Sequence, residues 1–220
     1  MNSPMNIAII GSGNVGGALG KAWATRGHHV VFGVQDVAAN EVRDLLAAAG
    51  PTASAATPAD AAAAAPIVFI ALPWPVVPAV LPALGDLTGK IVVDCTNPVG
   101  PGLRLAIGHT TSGGEEVAKL VPGARVVKGF HTVGAENMAN PRIDGRAIVN
   151  FLCSDDAEAK QVAATLSAEL GWQPVDAGPL AQARLTEPLA MLWITLAFQQ
   201  GLGRDFGFTL LERQPMATRR

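Results

Sequence analysis

Three glycines near the start of the chain have the spacing of a diphosphate-binding turn. Gly11, Gly13 and Gly16 form the pattern G-x-G-x-x-G directly after the apolar run at 6–10. In such a turn, backbone amides at a helix N-terminus can approach negative charge. The first glycine allows the tight turn, the second allows the pyrophosphate to come close, and the third allows the helix to pack against the strand. A plain turn between a strand and a helix is the alternative. The pattern and its context predict a dinucleotide site.

The residue that closes the next strand decides which dinucleotide such a site prefers. A carboxylate there holds the ribose hydroxyls of NAD, whereas a cation holds the 2′-phosphate of NADP. At this point the chain has Val34, Gln35 and Asp36. Asp36 could bind the ribose or be the N-cap of the following helix, and Gln35 could hydrogen-bond to either cofactor. The residues themselves leave both dinucleotides open.

Loops after three further apolar runs carry residues suited to hold planar rings. In chain order these are Leu72, Pro73, Trp74, Asn97, Pro98, His131, Thr132 and Val133. Because right-handed crossovers bring the carboxyl ends of parallel strands to one edge, we expect these loops to meet there. Trp74 could instead pack on the surface. His131 could polarise a substrate carbonyl or be an ordered loop imidazole, and it is our candidate catalytic residue.

The elements that position these loops follow an alternating α/β order. Apolar runs without alternation predict buried parallel strands at 6–10, 29–32, 67–72, 90–93 and 124–128. Helical signals lie between them at 14–26, 36–49 and 58–64. The composition of the Ala-rich stretch 47–65 is compatible with a helix. Farther along, we predict a strand at 147–153, a helix at 155–170 capped by Ser154, a strand at 172–176, and a buried helix with Pro188 in its first turn.

Composition excludes several classes of protein. The chain of 220 residues is 49% hydrophobic with a formal net charge of -2, which provides no positive field for nucleic acid or an anionic membrane. Cys95 and Cys153 stand alone and the histidines lack ligand spacing, so we predict buried thiols and no metal site. No G-x-S-x-G nucleophile elbow occurs. No apolar run reaches the ~18 residues of a membrane helix, and no basic leader is present, so we expect a cytoplasmic protein.

Longer segments resemble one family. They are IAIIGSGNVG, ALPW, IVVDCTNP, ARVVKGFHTVGAENM and VDAGPL with the following AR and EPLAMLWI, which together extend from residue 5 to about residue 203. This combination resembles the NADP oxidoreductases dependent on the deazaflavin coenzyme F420. The TVGAE and DAGPL segments are far more specific than the glycine turn. Similar domains form the cytosolic part of membrane metalloreductases, where the dinucleotide reduces a flavin.

The resemblance implies a fold, a reaction and roles for residues. It implies a Rossmann-type, doubly wound, mainly parallel sheet at 1–178, a small helical C-terminal segment at 179–220 that covers the site, and a homodimer. It also implies hydride transfer between the nicotinamide and a deazaflavin or flavin. Ser12, Asn14 and Val15 would join the glycines around the pyrophosphate. Leu72 and Pro73 would lie along the nicotinamide ribose, Asn97 and Pro98 would border the ring slot, and His131, Thr132 and Val133 would face the acceptor.

One departure from the family bears on the cofactor. Its members typically end the second strand with Ser-Arg, which grips the 2′-phosphate, whereas this chain has Val34 and Gln35. Without an arginine that forms two hydrogen bonds with the 2′-phosphate, the preference for NADP over NAD should be weaker. We therefore expect NADP or NAD as the dinucleotide. Two other functions stay open: a flavin-linked ferric or metal reductase, and a non-catalytic redox sensor that binds NAD(P) without turnover.

Overall fold

An eight-stranded sheet forms the centre of the protein in a computed structural model that describes residues 3–213. We number its strands β1 to β8 in chain order. They are Asn6–Ile10, His29–Gly33, Ala53–Ala56, Ile67–Ile70, Ile91–Asp94, Arg125–Lys128, Val149–Cys153 and Gln173–Gly178. The order across the sheet is β8-β7-β6-β5-β4-β1-β2-β3. The strands from β6 to β3 pair in parallel, and β7 pairs antiparallel with β6 and parallel with β8. The predicted Rossmann-type α/β fold is therefore confirmed.

Helices cover both faces of this sheet. We number them α1 to α7, and they are Asn14–Ala24, Asn40–Ala49, Pro58–Ala64, Val77–Val80, Gly113–Leu120, Ala157–Glu169 and Ala183–Ile194. In β1, Ile7 and Ile9 belong to one apolar core, whereas Ala8 and Ile10 belong to the other. Both faces of the strand are therefore buried, which explains why its sequence does not alternate.

Aromatic rings pack the core between α1 and the sheet. Trp23 of α1 lies 4.6 Å from Phe69 and 5.8 Å from Phe130, measured between ring centroids. Its indole Nε1 donates to the carbonyl of Leu166 at 3.1 Å, which ties α1 to α6. Phe130 also contacts Trp172 at 6.0 Å. Because Phe130 comes directly before His131, this packing anchors the loop that follows β6.

Three helix starts differ from the prediction, and one of them is that of α2, which begins at Asn40 rather than at residue 36. Ser154 does not cap α6, because its hydroxyl donates to the carbonyl of Val126 in the neighbouring strand. The N-cap is Asp156, whose carboxylate accepts the amide of Ala159 at 2.8 Å. Pro188 is not in the first turn of α7, which begins at Ala183, so this prediction is also wrong. A proline inside a helix removes one backbone hydrogen bond, and tertiary contacts of the preceding residues hold the helix instead.

Three elements, β3, α4 and α5, were not predicted, and β3 and α5 each have a local reason. Strand β3 lies in the Ala-rich stretch that we interpreted as helix-compatible, and its pairing with β2 overrides the low strand propensity of alanine. Helix α5 begins with Gly113 and Gly114, which are poor helix formers, and its N-cap is Ser112. Within the described part of the chain, no helix has the length and apolarity to cross a membrane. Residues 214–220 of the C-terminal segment predicted at 179–220 lie outside the described residues.

Candidate active site

The glycine turn connects β1 to α1 and lies directly against the end of β4. Gly11 has φ +102°, and a Cβ there would lie 2.5 Å from the carbonyl oxygen of Ala71 after β4. A Cβ on Gly16 would lie 2.0 Å from the carbonyl oxygen of Gly11. No larger side chain fits at either position. These two glycines bring the helix and the end of β4 against the turn.

Gly13 differs from the other two because open space lies beside it. It is the N-cap of α1, and nothing lies within 4 Å of where its Cβ would be. No described side chain caps the first turn of α1, and that turn contains no acidic residue. Backbone amides at Asn14 and Val15 therefore stand at a positive helix end with room for an anion. This arrangement fits the diphosphate of a dinucleotide.

A cleft of about 390 Å³ opens from this helix end across the tips of β4 and β5. Residues of the glycine turn and of two loops line it together: Gly13, Asn14, Val15, Ala71, Leu72, Pro73, Trp74, Pro75, Cys95, Thr96, Asn97 and Val99. The structure therefore brings together seven residues that we singled out for the site: Gly13, Asn14, Val15, Leu72, Pro73, Trp74 and Asn97. Ser12 is half-buried in the turn, and Pro98 is buried in the loop after β5.

The tip of β2 lies outside this lining. Val34 is buried, while Gln35 and Asp36 are exposed. Asp36 accepts the amide of Ala38 at 2.9 Å, and α2 begins only at Asn40, so Asp36 is not the N-cap of that helix. The physical reason is that an aspartate side chain that accepts a hydrogen bond from the amide two residues later stabilises a turn instead of a helix. The guanidinium of Arg43 donates to the side chain of Asn40.

The loop after β6 makes a sharp turn next to the cleft. Phe130 has φ +57°, a left-handed conformation that is uncommon for a bulky residue. Its amide donates to the side chain of Asn150 at 2.8 Å. The next three residues, His131, Thr132 and Val133, are all buried. Asn97 donates from Nδ2 to the carbonyl oxygen of His131 at 2.7 Å, which joins the loop after β5 to the loop after β6.

The imidazole of His131 is held in a neutral state. Its Nε2 lies 3.0 Å from the hydroxyl of Thr186 on α7. Burial, together with the neighbouring Lys128 ammonium, keeps the pKa of His131 well below its usual value, while hydrogen bonding at the backbone of Gly129 and Thr186 opposes the shift. A neutral imidazole offers one hydrogen-bond donor and one acceptor.

Three buried polar atoms at these strand tips lack a partner among the described residues. They are Thr96 Oγ1, Asn97 Oδ1 and His131 Nδ1. A buried polar group without a hydrogen bond is costly, and it calls for a ligand or an ordered water. Thr96 and Asn97 also line the cleft. Free donors and acceptors beside a narrow slot suit a planar ring with amide substituents, as a nicotinamide has.

A fully buried ion cluster lies behind the cleft. The ammonium of Lys128 lies 2.8 Å from Asp94 Oδ2, 2.5 Å from the carbonyl oxygen of Thr96 and 3.0 Å from Glu187 Oε1. Burial alone would lower the pKa of Lys128, but Asp94 and Glu187 raise it above its usual value. Glu187 also accepts the amides of Gly113 and Gly114 at the start of α5, at 2.8 and 2.9 Å.

Sequence reasoning missed this cluster. Asp94 and Lys128 each end an apolar strand, and they are direct partners in the register of β5 with β6. Opposite charges at the ends of two consecutive buried strands were the available signal. Glu187 and Thr186 gave no such signal, because their contacts depend on how α7 folds over the sheet.

Glu136 and Asn137 contact Arg204 and do not line the cleft. The described residues hold no cluster of potential metal ligands.

A Rossmann-type sheet with a glycine turn, an open helix N-terminus and a ring-sized cleft is typical of NAD(P)-dependent oxidoreductases. The family described as NADP oxidoreductase, coenzyme F420-dependent, matches residues 6–98. A crystal structure of a candidate F420-dependent NADP reductase from Arthrobacter sp. FB24 is 33% identical, with a TM-score of 0.85, and the match covers 94% of this chain and 100% of that one. The chain belongs to this family of oxidoreductases.

Two more distant relatives extend the comparison. Metalloreductase STEAP3 of Rattus norvegicus is 30% identical over 190 residues, which cover 84% of this chain and 37% of the relative. The chain thus spans about a third of the length of that metalloreductase. A reductive aminase from Aspergillus terreus in complex with NADPH is 21% identical, with a TM-score of 0.64, and covers 90% of this chain and 63% of its own. That likeness concerns the fold.

The glycine turn yields a paired prediction. Gly13→Ala should lower the affinity for the dinucleotide by about tenfold, ~1.4 kcal/mol, because its methyl group occupies the space beside the α1 amides. The unfolding midpoint should not change, since nothing lies within 4 Å of that methyl. Gly16→Ala is the matched variant and should lower the unfolding midpoint. Calorimetric titration and thermal unfolding measure both effects; equal affinity of Gly13→Ala and the parent would contradict this assignment.

Proposed function

We propose that this enzyme transfers a hydride between NADP(H) or NAD(H) and a deazaflavin or flavin acceptor. The main support is the set of unpaired buried atoms Thr96 Oγ1, Asn97 Oδ1 and His131 Nδ1 beside the cleft that starts at Gly13. They offer hydrogen bonds to ring substituents without offering a nucleophile. A reaction that needs two stacked rings and little acid-base help matches such a site.

The residues of the chain divide the work of binding and orientation. When bound, NAD(P)H supplies the hydride. The α1 amides beside Gly13 would hold the diphosphate, and Leu72 and Pro73 would lie along the nicotinamide ribose. Asn97 and Pro98 would border the ring slot, while Thr132 and Val133 would face the acceptor. Thr132 and Val133 are buried, so they would help to exclude water from the place where the rings meet.

Covalent chemistry has little support at this site. Cys95 is the thiol that lines the cleft, and burial, with a smaller contribution from Asp94, raises its pKa far above the usual range. A thiol that keeps its proton is a poor nucleophile. The neutral imidazole of His131 is likewise suited to hold a hydrogen bond rather than to donate a proton. Orientation and desolvation therefore carry the rate effect.

The hydride acceptor can be identified by a screen. We expect acceptor-dependent loss of the absorbance of NADPH or NADH with coenzyme F420, FMN or FAD. A second outcome is that flavin together with a ferric chelate gives the highest rate, and it would support a ferric reductase. The likeness to a metalloreductase is the reason to include this combination in the screen. His131→Gln serves as the matched variant and should lower the rate. Tight dinucleotide binding without oxidation by any acceptor would support a redox sensor and refute the enzyme proposal.

The choice between NADP and NAD depends on the tip of β2. Gln35→Arg should raise the affinity for NADP relative to NAD by about tenfold, because a guanidinium forms charge-assisted hydrogen bonds with a 2′-phosphate. Gln161→Arg is the control, since it adds the same charge to an exposed site on α6. The ratio of dissociation constants for the two dinucleotides is the measurement. An unchanged ratio would show that Gln35 does not face the 2′ position.

We also propose a homodimer that buries the outer face of α7. Leu185 and Leu192 on this helix are 68% and 49% exposed, and Phe198 just beyond it is 52% exposed. Large apolar side chains that are exposed on one segment favour association. We expect a dimer mass at micromolar concentration and a shift toward monomer in Leu185→Lys, with Val37→Lys unchanged. A monomeric parent would refute this proposal. The cytoplasmic location stays a prediction from the sequence.

A further inference from the structure

Three side chains form a hydrogen-bonded row that ends at His131, whose backbone accepts a hydrogen bond from the cleft residue Asn97. Cys153 of β7 has its Sγ 3.9 Å from the hydroxyl oxygen of Thr186 on α7. The same hydroxyl lies 3.0 Å from Nε2 of His131. All three side chains are buried, and the other imidazole nitrogen, Nδ1, makes no hydrogen bond of normal geometry with residues 3–213. The row therefore contacts only one of the two nitrogens of His131.

The direction of these hydrogen bonds follows from the chemistry of the three groups. The Thr186 hydroxyl has one hydrogen to donate, and its two contacts are an imidazole nitrogen and a sulfur. A ring nitrogen is a strong acceptor, whereas a thiol sulfur is a weak one, and this difference favours donation from the hydroxyl to Nε2. Burial raises the pKa of Cys153 to about 11, so the thiol keeps its own hydrogen and can donate it to Thr186.

We propose that Thr186 is a positioning residue that sets His131 in the tautomer with its hydrogen on Nδ1. Because Nε2 accepts from the hydroxyl, the neutral ring must carry its hydrogen on the other nitrogen. His131 then presents a donor to a carbonyl group of the hydride acceptor. This last step rests on the proposed function, whereas the tautomer itself does not.

A donor at this place has a definite use. A hydride from the dihydronicotinamide would bring two electrons to a bound deazaflavin or flavin, and negative charge would then develop on the ring carbonyl oxygens. An Nδ1–H group of His131 would stabilise that charge, whereas a lone pair on Nδ1 would repel it. His131 neither gives nor takes a proton, and the proton that completes the reduced acceptor comes from solvent. Thr186 thus acts on the reaction only through the imidazole.

The protein contains an internal reference with the opposite tautomer. Nδ1 of His28 accepts the backbone amide of Met5 at 3.0 Å, so its hydrogen must lie on Nε2. That nitrogen faces a carboxylate oxygen of Glu169 at 2.8 Å. His28 is buried, as His131 is, but it precedes β2 at the strand ends opposite to those that border the cleft. The two residues should therefore give distinct nitrogen signals in one spectrum.

The tautomer can be measured without any ligand. Long-range proton–nitrogen correlation spectra of protein labelled with ¹⁵N-histidine report which ring nitrogen carries the hydrogen, and His131→Gln identifies the signals. We expect hydrogen on Nδ1 of His131 in the parent and in Thr186→Ser, and loss of that preference in Thr186→Val. Thr165→Val on α6 is the matched control and should leave His131 unchanged. Hydrogen on Nε2 of His131 in the parent, or no change in Thr186→Val, overturns the proposal.

Kinetics test the role of the tautomer. Thr186→Val should lower kcat with the best acceptor by about three- to tenfold, as expected for one hydrogen bond, and leave KM for the dinucleotide within about twofold. Thr186→Ser should restore kcat. A shifted tautomer with unchanged kcat overturns the role in the reaction. If the parent protein reduces no acceptor, the proposed function fails, and the spectra still decide the tautomer.

Discussion

The ammonium of Lys128 sits in the interior with no exposure to solvent, and oxygens from three parts of the chain surround it. Taking a charge out of water is very costly unless close partners compensate for it. Asp94 and Glu187 supply two carboxylates, and the amides of Gly113 and Gly114 hold the oxygens of Glu187. Loss of one partner from such a cluster costs about 3–5 kcal/mol, because a charge is left buried without compensation.

This cluster determines how the last helix lies over the sheet. Glu187 anchors α7 to the ends of β5 and β6, and Thr186, its neighbour in the helix, reaches the imidazole of His131. Asn97 holds the backbone of the same histidine from the loop after β5. The candidate site is therefore assembled by contacts between elements that are distant in sequence. Burial lowers the pKa of His131, and the charge on Lys128 lowers it further, so the anchor affects the chemistry as well as the geometry.

Local signals were sufficient for much of the fold. The glycine turn and the apolar strands were predicted well because a tight turn and a buried parallel strand each leave a pattern within a few residues. The topological rule for parallel sheets also placed Asn97 and His131 at one edge, although not their contact. The partners of Lys128 and the start of α7 could not be predicted, because their positions depend on tertiary packing. Pro188 inside α7 shows how such packing overrides a local rule.

The left-handed backbone at Phe130 has a consequence for how the site accommodates ligands. Its ring is enclosed by Trp23, Phe69 and Trp172, so the conformation cannot relax without disturbing the core. The loop that carries His131 is consequently rigid, and Asn97 joins this loop to the cleft. Pro73, in the loop after β4, is exposed. We expect adaptation to ligands of different size to occur in this proline-containing loop, while the loop that carries His131 keeps its shape.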